Sequence, residues 1–186
     1  YFYADEEVFR DIQRETGTNG CRNPMTYILE AADDIAYKTA DIEDAFKKGC
    51  VTYGMLYREL EHLNKVTPID ALQYFDPLEE LKYHFSRALE REYGNPEFYA
   101  IQNWMVNVQN YLLKCATHGF MSHYQAIMSG TYGHELLYGT HGEGLARLLS
   151  DVAYKNAFVS EPIYKLEIAA GHMLEYFLDK FVKAWN

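Results

Sequence analysis

Arg22 to Asp41, RNPMTYILEAADDIAYKTAD, is the stretch on which the fold turns. Asn23 is a good N-cap, and Pro24 at the first helical position gives up only an N–H that would be orphaned there anyway. Ile28, Ile35 and Ile42 recur every seven residues, a spacing that drifts only about 20° per step and makes one apolar seam. Lys47 and Lys48 put positive charge at the far end, and Gly49 offers a residue at ease with positive φ. A long helix is therefore predicted from Pro24 to about Lys48. Inside it stand Glu30, Asp33, Asp34 and Asp41. Aspartate is a poor residue for a helix interior, because its short side chain competes for nearby backbone groups. Three of them in nine residues call for a reason beyond folding.

The same punctuation repeats on either side. A first helix is predicted over Asp5 to Glu15, closed by Gly17-Thr18-Asn19-Gly20. After the long helix, Thr52 opens another that fades between Asn64 and Pro68. Asp76-Pro77 and Asn95-Pro96 repeat the cap-plus-proline start for helices over 78–93 and 97–117, separated by Gly94. Gly119, Gly130 and Gly133 bracket a helix near 120–129. Gly139 to Gly144 is a turn before a helix over 143–156, and Ser160 caps a last one, with Pro162 near its start, running to Lys183. Period-two alternation is rare, and no Asn-Gly or Asp-Gly joins two apolar runs. The fold class is all-α, one helical region over residues 1–186.

At 186 residues, 48% hydrophobic and 24% charged, the chain can bury a substantial core as one domain. No apolar run approaches the roughly 18–20 residues that span a bilayer, so no membrane partner is expected. The net charge of −10 opposes a surface that is basic all over, as nucleic-acid binding would demand. Cys21, Cys50 and Cys115 are odd in number and form no CxxC, which reads as reduced thiols in the cytoplasm. Seventeen tyrosines and ten phenylalanines make the core aromatic; they are expected mostly to pack, with a base-stacking pocket as the other use.

Asp33, Tyr37 and Asp41 are spaced i, i+4, i+8 and form a stripe roughly opposite the isoleucine seam. On the helical wheel alone that stripe is a solvated polar face. Ala31, Ala32, Ala36 and Ala40 beside it leave room for another element to approach closely.

The pattern RxPxxYxxEAADDIxY resembles the signature of bacterial deoxyguanosinetriphosphate triphosphohydrolases, of the HD-domain phosphohydrolase superfamily. Two further stretches agree: Ala126 to Leu137 is similar to that family's AIxxGTxxxxLL segment, and Lys165 to Gly171 to its LELxGxxxI helix. The resemblance implies a helical HD-like array in which residues 1–48 end the HD core and 49–186 form the rest. It implies a divalent metal (Mg, Mn, Fe or Zn) held by a His, a His-Asp pair and a later Asp, matched here by Asp33. Tyr37 then matches the residue packed against the deoxyribose, and Asp41 the acceptor of the sugar 3′-OH. Glu167 matches a contact to the purine edge, its alternative being a surface carboxylate. Asp34 falls to a supporting role. The implied reaction takes dGTP or another dNTP to deoxynucleoside and triphosphate. By family alone, a homo-oligomer and single-stranded DNA or nucleotide effectors are also implied.

The sequence departs from that pattern in one serious way: none of its seven histidines precedes an aspartate. The His and His-Asp ligands and the acid/base groups are expected upstream of Tyr1. The chain is thus expected to be the C-terminal part of such an enzyme, without catalytic residues and inactive alone. His134 and His141 with Glu135 and Glu143 lack the i, i+4 spacing that would fix a metal. No phosphate-binding GxxxxGK[ST] loop and no GxSxG nucleophile elbow occurs. The apolar stripe from Ile168 to Val182 predicts core or subunit interface. Two rival functions stand beside the main one: another HD-type nucleotide phosphohydrolase, such as a nucleoside monophosphatase, and a non-catalytic helical regulatory or oligomerisation module.

Overall fold

The computed structural model describes residues 2–18, 20–66 and 75–185. All of their regular structure is helical. After a short 3₁₀ turn at Tyr3–Asp5 come α1 (Glu6–Thr16), α2 (Pro24–Lys47), α3 (Tyr53–Val66), α4 (Pro77–Glu90) and α5 (Pro96–Ser122). Then follow α6 (Tyr124–Met128), α7 (Glu143–Ala153), a π-helical turn at Tyr154–Phe158 and α8 (Glu161–Trp185). Asn19, and the expected fade of α3 into Pro68 beyond Val66, lie outside the described residues.

The predicted caps form. The Asn23 side chain accepts from the Met25 N–H, Asp76 from Leu78 and Glu79, and Asn95 from Phe98. Each satisfies donors that the first helical turn leaves open. Gly49 follows α2 at φ 72°, where a side chain would be strained.

Helix α5 is the centre of the packing, with α4 and α2 against it and α7 behind α2. Trp104 of α5 is fully buried and donates its indole N–H to the Pro77 carbonyl at 2.6 Å, which ties the start of α4 to the core. Ile35 and Ile42 of α2, Leu56 and Leu60 of α3, Leu81 of α4, Leu112 of α5, and Leu145 and Leu149 of α7 complete it. Each such side chain contributes about 1.5–3 kcal/mol relative to exposure. Thr39, a buried polar residue of α2, donates to the Ile35 carbonyl at 2.9 Å and accepts from Gln109 of α5 at 2.6 Å. That bond fixes the register of α2 on α5.

Five expectations need correction. The helix predicted over 97–117 runs on to Ser122, and Gly119 lies within it. A Cβ there would sit 2.0 Å from the Leu136 carbonyl oxygen, so this glycine serves a close crossing of two segments and does not break a helix. The helix near 120–129 shrinks to five residues, and α7 gives way to a π-helical turn after Ala153. Ser160 makes no capping bond: its buried hydroxyl has no partner. Ile28, in line with Ile35 and Ile42, is 42% exposed, because it borders an open apolar groove with Leu113 and Phe120.

Among the described residues no helix is long and apolar enough to cross a membrane. The cysteines are unpaired, Cys21 exposed and Cys115 buried.

Candidate functional site

Because α5 and α7 hold one side of α2, the other side faces out. Met25, Leu29, Asp33, Ala36, Tyr37 and Ala40 are exposed and fall within about 120° of one another on the helix. Asp33, Tyr37 and Asp41 follow in sequence along it, each about 6 Å beyond the last.

Their surroundings differ. Asp33 is exposed and makes no hydrogen bond or ion pair among the described residues, so its carboxylate is free to take an external cation. Its neighbour Asp34 turns towards α7 and is held by Lys38 at 3.0 Å, a pairing that fits a supporting role. Tyr37 is 63% exposed, an unusual state for a ring on a helix whose other side is core. Asp41 is half-buried. Burial pushes its carboxyl above the usual carboxylate range, Asp44 adds to this, and Lys38 and Lys48 work against it. Glu43, on the opposite flank, is held below its ordinary value by hydrogen bonds from Lys47 and Gln102.

Tyr37 and Asp41 open onto a cavity of about 420 Å³ whose far wall is Asp151, Tyr154 and Phe158. Composition favoured packing for the aromatic residues, left a base-stacking pocket as the lesser use, and singled out none of them. Tyr154 and Phe158 are 117 and 121 residues from Tyr37, and nothing local in the sequence joins them to it. The π-helical turn that carries them shows only in the structure, and such insertions collect at functional sites.

Glu167 does not line that cavity. It lies one helical stretch further on, in α8, which packs mainly against the Tyr154–Phe158 turn. On α8, Leu166, Ala170, Met173, Leu174, Phe177, Leu178 and Phe181 occupy a sector of about 140°, and Glu167 is its sole charged residue. The sector is bare: Phe181 is 72% exposed. A carboxylate alone on an apolar face is placed unlike an ordinary surface charge, which would sit with Lys165, Asp179 and Lys183 on the other side. The apolar stripe expected as core or interface is not part of the core of the described residues.

Among the described residues no group of three or more His, Cys, Asp or Glu side chains is placed to hold a metal ion. His134 belongs instead to a run of stacked rings, 4.1 Å from Tyr138 and edge-on to Tyr132. Asp33 fits a metal as one ligand of a set, and the described residues near it do not supply the others.

No family model matches the chain. Comparison with curated proteins finds a deoxyguanosinetriphosphate triphosphohydrolase-like protein of Listeria monocytogenes, 34% identical over 185 residues, which are 99% of this chain and 38% of the relative. A protein of the same name from Listeria innocua matches equally. A deoxyguanosinetriphosphate triphosphohydrolase of Yersinia pestis is 30% identical over 184 residues, 96% of this chain and 35% of the relative. The chain therefore spans little more than a third of the length of the curated relatives it matches. The likeness to deoxyguanosinetriphosphate triphosphohydrolases thus runs nearly end to end through this chain and includes the helix face just described.

Proposed function

We propose that these residues are the C-terminal helical part of a dNTP triphosphohydrolase and supply one side of its active site. Residues 1–48 close the metal-bearing core, and 49–186 build the helical remainder. The reaction is dGTP, or another dNTP, plus water to deoxynucleoside plus triphosphate. The observation that carries this reading is the outward face of α2: an unpartnered Asp33, an exposed Tyr37 and a half-buried Asp41 beside an aromatic-walled cavity.

Asp33 would hold a divalent ion together with ligands from outside these 186 residues; when bound, that ion supplies Lewis-acid polarisation of a phosphoryl oxygen. Tyr37 fills the space that a ribose 2′-OH would need. Asp41 accepts the 3′-OH hydrogen bond, and its partial burial strengthens that bond by excluding competing water. Tyr154 and Phe158 offer flat faces to the nucleobase across the same cavity. Glu167 reaches the purine edge once the apolar sector of α8 is covered, a setting in which a lone carboxylate needs a donor.

A regulatory or oligomerisation module is favoured by one observation, the outward position of Asp33. Against a closed, monomeric form of it stand the bare apolar side chains of α2 and α8, which such a module would bury. The two are separated by assaying the full-length protein on a panel of dNTPs, NTPs and nucleoside monophosphates. Deoxynucleoside and triphosphate should appear from dNTPs alone. Release of phosphate from monophosphates would point to another HD-type phosphohydrolase, and no turnover with any nucleotide to the non-catalytic module.

A further inference from the structure

A cavity of about 540 Å³ lies away from the Asp33 face. Asn107, Asn110, Tyr111, Lys114, Cys115 and His118 line it from one side of α5, with Glu80 from α4. Phe75 stands before α4, and His141 in the segment that leads into α7. Its size suits a small molecule.

One wall is aromatic. Phe75 stacks on Tyr111 with centroids 4.6 Å apart and planes 18° from parallel. Behind it the chemistry is closed. The Cys115 thiol meets the Tyr111 hydroxyl and the Gly142 N–H, and burial raises both the thiol and the phenol above their ordinary values. Neither is available as an anion near neutral pH.

The one carboxylate among the described lining residues is also engaged. Glu80 accepts from Asn107 Nδ2 at 2.5 Å and lies 3.2 Å from His84. Thr140 donates to the Leu137 carbonyl at 2.7 Å, but four other polar groups of the lining have little to do. Lys114, Asn110 and His141 make no hydrogen bond or ion pair among the described residues, and His118 has only Ser122, at 3.3 Å. Lys114 and His118 are i, i+4 on α5 and so stand side by side. Among the described residues no group of three metal-binding side chains occurs there. In a chain of net charge −10, a cavity whose described lining leaves one charge unbalanced, and that one positive, stands out.

We propose that this cavity binds a small organic anion that joins a flat ring to a phosphate or carboxylate. The ring lies against the Phe75–Tyr111 wall, and the oxyanion meets Lys114, His118 and His141. The site is separate from the Asp33 face and does not depend on the function proposed for it.

The probes are phenyl phosphate, inorganic phosphate and phenol, titrated into the 186-residue chain. Binding is read by the His118 and His141 ring resonances in NMR and by calorimetry. Phenyl phosphate should shift both resonances saturably. Lys114→Glu and Lys114→Gln should each weaken it about tenfold or more, the scale of a lost hydrogen bond to a charged group. Their circular dichroism should be unchanged, and Lys165→Glu on α8 should have no effect. Phenol should not bind, and inorganic phosphate should bind about tenfold more weakly, an affinity step of the size an aromatic contact supplies. The proposal is overturned if neither resonance moves, if inorganic phosphate binds as well as phenyl phosphate, or if both Lys114 variants bind normally.

Discussion

Helices α2 and α8 are almost equal in length, 24 and 25 residues, and both carry wide apolar surface. Helix α2 is packed on one side by α5 and α7 and is bare on the other; α8 touches little beyond the turn that precedes it. Both are well-formed helices, so local sequence is enough to make them, through caps and propensity. What separates them is the presence of partners. The half of α2 that faces α5 is where the fold is stabilised, and the half that faces out is where the candidate chemistry stands. In α8 the two cannot be told apart from packing, and only the lone Glu167 marks a position with a use other than burial.

The sharpest way to separate the two halves of α2 is to remove Asp33. In the full-length protein Asp33→Ala should lower turnover by about a thousandfold or more, the order expected when metal-assisted charge stabilisation is lost. Bound metal should fall with it, while circular dichroism and urea midpoint stay put. Unchanged metal content and kcat would take Asp33 out of the site.

Next comes the contrast between the two helices, tested in the 186-residue chain. Ile42→Ala on the inner face of α2 should cost about 2–5 kcal/mol in urea unfolding. Leu174→Ala on α8 should change stability by less than about 0.5 kcal/mol, as for a surface position. Equal losses would mean that α8 is packed in solution and the comparison fails.

A smaller effect concerns the sugar. Asp41→Ala in the full-length enzyme should raise KM or lower kcat for dNTPs by the equivalent of about 1.5–3 kcal/mol. A 3′-deoxy analogue should lose much less. Matching losses on both substrates would remove Asp41 from contact with the 3′-OH.

The smallest effect is on pH dependence. The Asp41 carboxyl is raised above its unfolded value of 3.8, so the folded chain holds this proton more tightly than the unfolded one. The sign follows from linkage: stability falls as pH rises through the window between 3.8 and the folded value, and the penalty is complete above it. Asp41→Asn should therefore stabilise the chain at neutral pH by a few tenths of a kcal/mol, within the range of about 0.5 kcal/mol for surface changes. The gain should vanish below pH 3.8. A gain that stays constant from neutral to acid pH would mean that the carboxylate is not its source.

Helix starts were legible in the sequence because they are local: Asn23, Asp76 and Asn95 each bond an N–H two or three residues away. The outward stripe on α2 was legible for the same reason, since i, i+4, i+8 is fixed by helix geometry. Gly119 was misread because its reason lies in Leu136, a contact that no window around Gly119 contains. Ile28 shares the spacing of Ile35 and Ile42, yet periodicity cannot say where the neighbouring helix ends. Tyr154 and Phe158 were invisible as partners of Tyr37 because only the packing of α7 on α2 brings them there.

The π-helical turn at Tyr154–Phe158 has a mechanical consequence. It is the junction from which a rod about 37 Å long extends, at 1.5 Å for each of the 25 residues of α8. A tilt of about 10° at this joint swings the Trp185 end through about 6 Å, by the same helix geometry. The two rings at the joint are also the far wall of the cavity that holds Tyr37 and Asp41. The turn that carries the rod therefore also closes the cavity, and the two share Tyr154 and Phe158.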